Sequence, residues 1–379
     1  MAVFEKSAPL FLRPFGVFCV LVVCLSCKST VICRSPHGFY ENNMHSNSMK
    51  LRLLSAAFAC LCSSTCWAST PYAVDTQTSP QAPVAKSATS NYAAHVAIPY
   101  SPKLIKGKLA NGLTYYIQKN TKPEQKVEMR LVVNAGSVLE DEDQQGLAHF
   151  TEHMAFNGSR HFKKNELVSF LESIGVKFGA DLNAYTGFDE TVYILPIPTD
   201  KPDNFEKGMM VLADWASGLR FDAEEIEKER GVVLEEARLG KGAGERLRQQ
   251  TLPKILHGSK YADRLPIGKE ETIKTFKHEA LKRFYADWYR PDLMAVVIVG
   301  DIDPKKAQAL VEKHFAGLKN PSKKRPRTIE TLPLQNLDDA LVAVDKEANL
   351  ASVNISQTRL LQKNDGKFGS YRQRRIDHF

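Results

Sequence analysis

The segment that most constrains this chain is His149-Phe150-Thr151-Glu152-His153. In a helix, residues four apart lie on one face, so both imidazoles can point at one ion. Neutral imidazoles suit zinc at about 2.0–2.1 Å, and Glu152 projects close by without having to ligate. A lone histidine pair is usually a surface coincidence, but the five-residue pattern with an internal glutamate is far more specific. The segment therefore predicts a zinc site in which Glu152 takes a proton from a water molecule and later protonates a departing amine.

A zinc site of this kind needs a third protein ligand and an open position for water. No cysteine follows residue 66, so we expect a carboxylate or another histidine. The predicted helix 223–238 contains Glu229 and Glu236, which are two helical turns apart and share a face. Its apolar stretch 232–234 indicates burial, and buried carboxylates need a partner or a metal. Either glutamate can supply the ligand, whereas we interpret His161 as an ordinary polar residue.

All seven cysteines lie in the first 66 residues, which excludes a disulfide framework in the folded part. From Met49 the chain has a short basic start, an apolar run at 53–61 and a small residue at Ala68, which is typical of a secretory signal over 49–68. A second apolar stretch, 16–27, lies upstream. One interpretation is an uncleaved membrane anchor; the other, which we favour, is that translation begins at Met49 and that 1–48 is an extension. We expect export to the periplasm, a flexible leader over 69–98, and no membrane span in the mature form.

The formal net charge of +8 raises the question of nucleic acid. The excess basic residues gather in 319–335 and in the last segment, without a recognition helix or an aromatic platform. We therefore expect no nucleic-acid partner and interpret 319–335 as a solvated basic linker.

From about residue 99 the pattern predicts a globular domain that extends to 318. Asn111-Gly112 between two apolar runs predicts a hairpin, and Asn165 is a candidate helix N-cap. Strands are predicted at 104–109, 113–118, 127–133, 185–197 and 293–299, and helices at 144–156, 166–174, 203–219, 223–238, 272–289 and after Asp303. Because helices and strands mix without regular alternation, we predict an α+β fold with an antiparallel-rich sheet.

Residues 336–379, with strands near 341–344 and 352–356, are too few to bury a core and predict an incomplete second domain.

The motif and its surroundings resemble the pitrilysin/insulysin (insulinase) family of zinc peptidases, of the inverzincin type, and its bacterial periplasmic members in particular. The resemblance covers most of residues 104–303. It is carried by residues 146–148 and 156–158 around the motif, by 183–186 and 189–191, by 229–236, by 261–268, and by 284–285, 288–291 and 299–301.

The resemblance implies that His149 and His153 bind one Zn²⁺ and that Glu152 is the general base. It also implies that Glu236 is the third ligand and that Glu229 is its supporting neighbour. Counting from the second histidine favours Glu229 instead, because the usual family spacing is a few residues shorter. We follow the local motif, since an insertion would shift that count.

In the family, the stretch that corresponds to Asn183, Ala184 and Tyr185 is an edge strand that pairs with the substrate backbone. The alternative for Tyr185 is a core aromatic residue. Family members also enclose the peptide with a similar, metal-free domain, so we expect a missing C-terminal domain or a partner subunit.

Our leading hypothesis is a zinc endopeptidase that hydrolyses oligopeptides or small unfolded proteins. The alternative is a catalytically impaired peptide-binding half that needs the missing domain. The intact Glu152 favours the enzyme.

Overall fold

The computed structural model describes residues 18–23, 92–176, 183–333, 339–356 and 365–378. Its strands are β1 Phe18–Val23, β2 Leu104–Lys108, β3 Thr114–Lys119, β4 Lys126–Val133, β5 Asn183–Thr186, β6 Thr191–Pro198, β7 Met294–Gly300, β8 Asp339–Val344 and β9 Ser352–Ser356. Six of them form one sheet in the order β2-β3-β7-β4-β6-β5. Only the β3–β7 pair of this sheet is parallel, so the predicted antiparallel-rich sheet is confirmed.

The predicted hairpin between β2 and β3 is confirmed. The backbone N–H of Leu109 donates to the carbonyl of Leu113 at 2.8 Å, and Gly112 adopts a φ of 98°. Such a φ favours glycine, which explains the Asn-Gly sequence at this turn.

One face of the sheet carries the main hydrophobic core. Alternate residues of β4, including Met129 and Leu131, are fully buried there, as the two-residue period of a strand requires. They belong to the same apolar cluster as Trp215 and Phe315, which lie on helices. β5 is one of the two edge strands of this sheet, and among the described strands it pairs only with β6.

The helices are α1 Leu147–Met154, α2 Lys164–Ser173, α3 Pro202–Ser217, α4 Ala223–Leu239, α5 Ala243–Ile255, α6 Glu270–Thr275, α7 His278–Trp288, α8 Pro304–Phe315 and α9 Phe368–His378. The histidine helix α1 begins later than predicted, because residues 142–144 form a separate 3-10 turn. Gly146, with a φ of 102°, ends the turn and starts the helix. Just before it, the buried carboxylate of Glu140 accepts the backbone N–H groups of Gly146 and Ala148 at 3.0 and 2.8 Å. These contacts fix the start of the helix that carries the histidine motif.

Other helix predictions differ in detail. Asn165 lies inside α2, whose N-cap is Lys163, so the proposed Asn165 cap is wrong. The predicted helix 272–289 is two helices, because Phe276 adopts an extended ψ of 145° between them. Neither α5 nor α9 was predicted.

The predicted basic linker is not simply solvated. Arg325 contacts Asp141 and Asp287 and lies over the ring of Trp288. The Arg327 side chain is only 12% exposed and pairs with Asp189 at 3.1 Å. These contacts hold 325–327 against the domain, so the prediction of a free linker is wrong for this stretch.

The N-terminal predictions are tested only in part. The signal segment 49–68 lies outside the described residues, whereas residues 18–23 of the upstream apolar stretch form β1, paired between β8 and β9. Among the described helices, none has the length and apolarity that a membrane crossing needs. The end of the predicted flexible leader is ordered, since the N–H of Ile98 donates to the carbonyl of Gly366 at 2.7 Å.

Candidate metal centre

Two histidines of α1 face each other at the surface of a cavity. The Nε2 atoms of His149 and His153 lie 3.2 Å apart, and the ring planes are nearly perpendicular at 86°. Helical spacing explains this directly, because the two residues are one turn apart on one face. Their ring nitrogens therefore share one small volume.

Glu236 of α4 completes this group. Its Oε2 lies 3.3 Å from Nε2 of His153 and 3.7 Å from Nε2 of His149. The three ligand atoms lie within 4.8 Å of one another, close enough to surround one ion. The Glu236 side chain is half-exposed, so the group opens toward the cavity.

Glu229 lies on the other side of His153. Its Oε1 is 2.7 Å from Nδ1 of His153, and its Oε2 accepts the Nδ2 amide of Asn157 at 2.7 Å. Burial acts to raise the pKa of Glu229, but the hydrogen bonds from His153 and Asn157 lower it overall. An ionised Glu229 favours the His153 tautomer with a proton on Nδ1, which leaves Nε2 as the electron donor.

The chemistry of these groups fits a zinc ion. Burial, followed by the charge of His153, lowers the pKa of His149 to about 4, so this imidazole is neutral at neutral pH. Burial acts in the same direction at His153, but Glu229 and Glu236 outweigh it and raise that pKa to about 9. A zinc ion would take the place of the proton that the raised pKa puts on His153, and two imidazoles with one carboxylate are an ordinary zinc donor set.

Glu152 lines the same cavity and is 7% exposed. Its Oε2 accepts the hydroxyl of Thr186, the last residue of the edge strand β5, at 2.6 Å. Burial raises the pKa of Glu152, although the Thr186 hydrogen bond and His153 act against this. A raised carboxyl pKa is what a group that both takes and returns a proton near neutral pH requires.

The cavity around these groups has a volume of about 980 Å³. Its walls combine α1, α2, α4 and β5, with apolar side chains that include Phe156, Val168, Val232 and Ile267. Val232 is 52% exposed, whereas Val233 is fully buried and Leu234 is partly buried against the same apolar cluster, so the prediction that 232–234 is largely buried is wrong for Val232.

The candidate peptide-binding residues Asn183, Ala184 and Tyr185 also line this cavity. Tyr185 is 46% exposed, so its alternative interpretation as a core aromatic residue is wrong. His161 lies apart from the metal cluster, with its Nδ1 2.8 Å from Oδ1 of the buried Asp214. The structure thus groups the motif, Glu236 and β5, and leaves His161 outside.

Sequence reasoning missed three supporting residues. Asn157 lies three residues past the end of α1, and its side-chain amide donates back to the carbonyl of His153 at 3.1 Å. Thr186 belongs to the family-like stretch 183–186, but nothing in its spacing indicates a contact with Glu152. Glu140 lies just before the helix of the motif, and its buried carboxyl group accepts two backbone N–H groups at the start of that helix.

Comparison with known proteins gives the family. Residues 115–263 match the family described as insulinase, peptidase family M16. Residues 275–360 match the peptidase M16 inactive domain, and the two matches together cover more than half of the chain. The chain belongs to the insulinase family, M16. The match over residues 115–263 contains the histidine motif, β5 and all of α4.

Similar proteins of the insulinase family include named zinc proteases. The chain is 41% identical over 253 residues to the zinc protease PQQL-like of Arabidopsis thaliana, covering 66% of this chain and 26% of that protein. It is 42% identical over 219 residues to the probable zinc protease PqqL of Haemophilus influenzae, covering 58% and 24%. The matched segment therefore spans about a quarter of the length of these curated relatives.

A solved structure of the same family agrees with the fold. The first half of the periplasmic protease PqqL from Escherichia coli is 37% identical, with a TM-score of 0.59 over 63% of this chain and 51% of that one. Pitrilysin, at 24% identity and a TM-score of 0.52, supports the fold alone. The predicted pitrilysin-type fold is confirmed.

Proposed function

We propose that this chain is the metal-binding part of a zinc endopeptidase that hydrolyses oligopeptides or small unfolded proteins. The observation that carries the proposal is the convergence of His149, His153 and Glu236 within 4.8 Å, in a cavity that also contains Glu152. Membership of the insulinase family and the zinc protease relatives support it. In this proposal these three residues bind one ion and Glu229 orients His153.

The chain's own residues would share the chemistry as follows. A zinc ion held by His149, His153 and Glu236 would supply Lewis acidity, which makes a water molecule easier to deprotonate. Glu152 takes the proton of the attacking water and returns it to the nitrogen of the departing amine. The Glu229 carboxylate holds the His153 ring through Nδ1, at 2.7 Å, so that Nε2 keeps its direction.

Peptide would bind along β5. Among the described strands, β5 pairs on one side only, so one row of its backbone N–H and C=O groups can pair with an added strand. Asn183, Ala184 and Tyr185 line the cavity on the side of Glu152, which would bring an added backbone next to the general base. The apolar cavity wall would accept side chains of the peptide.

The location and the partner remain part of this proposal. The Escherichia coli relative is a periplasmic protease, and the signal-like segment 49–68 suggests export of this chain as well. The match of residues 275–360 to the M16 inactive domain suggests that a metal-free domain or partner subunit closes over the peptide.

Hydrolysis of a quenched fluorescent peptide tests the proposal. The full chain with zinc is expected to cleave it, and Glu152→Gln is expected to reduce kcat by about 10²–10⁴-fold, because it removes the proton acceptor. Glu235→Gln is the matched control, since Glu235 lies on α4 but pairs with Arg238 away from the histidines. Equal cleavage by the unmodified and Glu152→Gln proteins, or none by either, would contradict the proposal.

A further inference from the structure

We infer that Thr186 is a positioning residue for Glu152 and that it ties the orientation of this carboxylate to the edge strand that would receive the peptide. The inference rests on the proposed function, because it assigns Thr186 a part in the same reaction. Thr186 is not one of the three residues that surround the proposed metal position, and its hydroxyl hydrogen-bonds to Glu152.

The contact is short and directional. The Oγ1 of Thr186 donates to Oε2 of Glu152 at 2.6 Å, in the range of a charge-assisted hydrogen bond. Among the described residues, this is the one side-chain hydrogen bond that Glu152 makes. A carboxylate held through Oε2 has one preferred rotation, and Oε1 is left to exchange the proton.

Thr186 is itself held in a rigid frame. It is the last residue of β5 and lies opposite Thr191 of β6. Thr191 is fully buried and donates its hydroxyl to the carbonyl of Ala135 at 3.0 Å. The hydroxyl of Thr186 is therefore placed by the sheet, whereas Glu152 is placed by α1, and the hydrogen bond joins the two elements.

The hydrogen bond between Thr186 and Glu152 would link peptide binding at β5 to the orientation of Glu152. A peptide that adds to β5 would order the backbone of 183–186, and with it the position of the Thr186 hydroxyl. Peptide binding and the orientation of the general base would then depend on the same four residues. A peptide bound out of register would disturb the base as well as the scissile bond.

Valine at this position would keep the shape and the strand preference but would leave the buried Glu152 without its donor. The steric fit and the hydrogen bond can therefore be separated by mutation. Thr186→Ser restores the hydroxyl, and Thr114→Val on β3 is the same substitution on the same sheet without a hydrogen bond to Glu152.

The test compares these three variants of the full chain with the unmodified protein. Zinc content, kcat and KM for a quenched peptide are measured for each. We expect Thr186→Val to lose about 10- to 100-fold in kcat, as the loss of a hydrogen bond to a charged group predicts, with KM changed less than about twofold. Thr186→Ser should recover most of the loss, Thr114→Val should match the unmodified protein, and all should bind one zinc ion.

Three results would overturn the inference. These are an unchanged kcat in Thr186→Val, a loss that Thr186→Ser does not recover, and a loss that is matched by lost zinc. If the unmodified chain does not cleave the peptide, the proposed function fails and this inference fails with it. Cleavage by the unmodified chain together with an unaffected Thr186→Val contradicts the inference alone.

Discussion

Nδ1 of His153 lies 2.7 Å from Oε1 of Glu229, on the opposite side of the ring from the nitrogen that faces His149 and Glu236. This relationship separates the roles of the two glutamates of α4, which the sequence left open. Glu236 shares the volume between the histidines, whereas Glu229 lies within hydrogen-bonding distance of Nδ1 and can hold a proton on that nitrogen.

Replacing Glu229 by glutamine is expected to weaken zinc binding about 10- to 100-fold, as is typical when a carboxylate behind a histidine ligand is lost. Glu236→Gln should weaken it further, because it removes an atom of the proposed ligand group. Competition with a chromophoric chelator measures the zinc dissociation constants of both variants. Equal affinities of Glu229→Gln and the unmodified protein would show that the carboxylate behind His153 does not support the metal.

Arg327 is expected to hold the turn between β5 and β6. It donates to the carbonyl and carboxylate of Asp189 and to the carbonyl of Asn134, with a side chain that is only 12% exposed. Arg327→Ala should lower the free energy of unfolding by about 1–3 kcal/mol, because three hydrogen bonds from a largely buried guanidinium are lost. Lys323→Ala, an exposed neighbour, should stay within about 0.5 kcal/mol in urea unfolding. An Arg327→Ala protein as stable as the control would mean that the stretch is held by other contacts.

Glu140 should make stability depend on pH. Burial raises its pKa from the usual 4.5 to about 8, against the hydrogen bonds from Ala148 and Gly146. Between pH 4.5 and 8 the folded protein keeps a proton on Glu140 that the unfolded chain has already released. The contribution of this proton to the free energy of unfolding is therefore complete below pH 4.5 and is lost as the pH rises through 8. Urea unfolding from pH 5 to 9 should show the unmodified protein losing stability relative to Glu140→Gln. A difference that is constant across this range would contradict the raised pKa.

The parts of the fold that were predicted correctly are those with a local signal. Asn111-Gly112 specifies a turn, and the alternation in 127–133 specifies a half-buried strand. Helix α5 has no such signal, because none of its residues is buried and Pro253 lies inside it. It is held instead by distant contacts, such as the pairing of Arg246 with Asp345 and Glu347.

In the candidate site, too, the features with a local sequence signal could be predicted and those that depend on tertiary contacts could not. The spacing of His149 and His153 predicts a shared face, and the two-turn spacing of Glu229 and Glu236 predicts their common direction. Which of the two glutamates faces the histidine pair depends on how α4 packs against α1. The helical period of α4 alone does not determine this packing. The contact of Thr186 with Glu152 joins a strand end to a helix, so it too required the tertiary structure.

Zinc stoichiometry shows whether His149, His153 and Glu236 form a metal centre. The full chain, dialysed against metal-free buffer after loading, is analysed by atomic emission beside His149→Ala and the control His278→Ala, whose histidine pairs with Glu227 on the surface. We expect one zinc ion per chain in the unmodified protein and in His278→Ala, and almost none in His149→Ala. A chain without stoichiometric zinc, or a His149→Ala variant that keeps it, would contradict the metal centre.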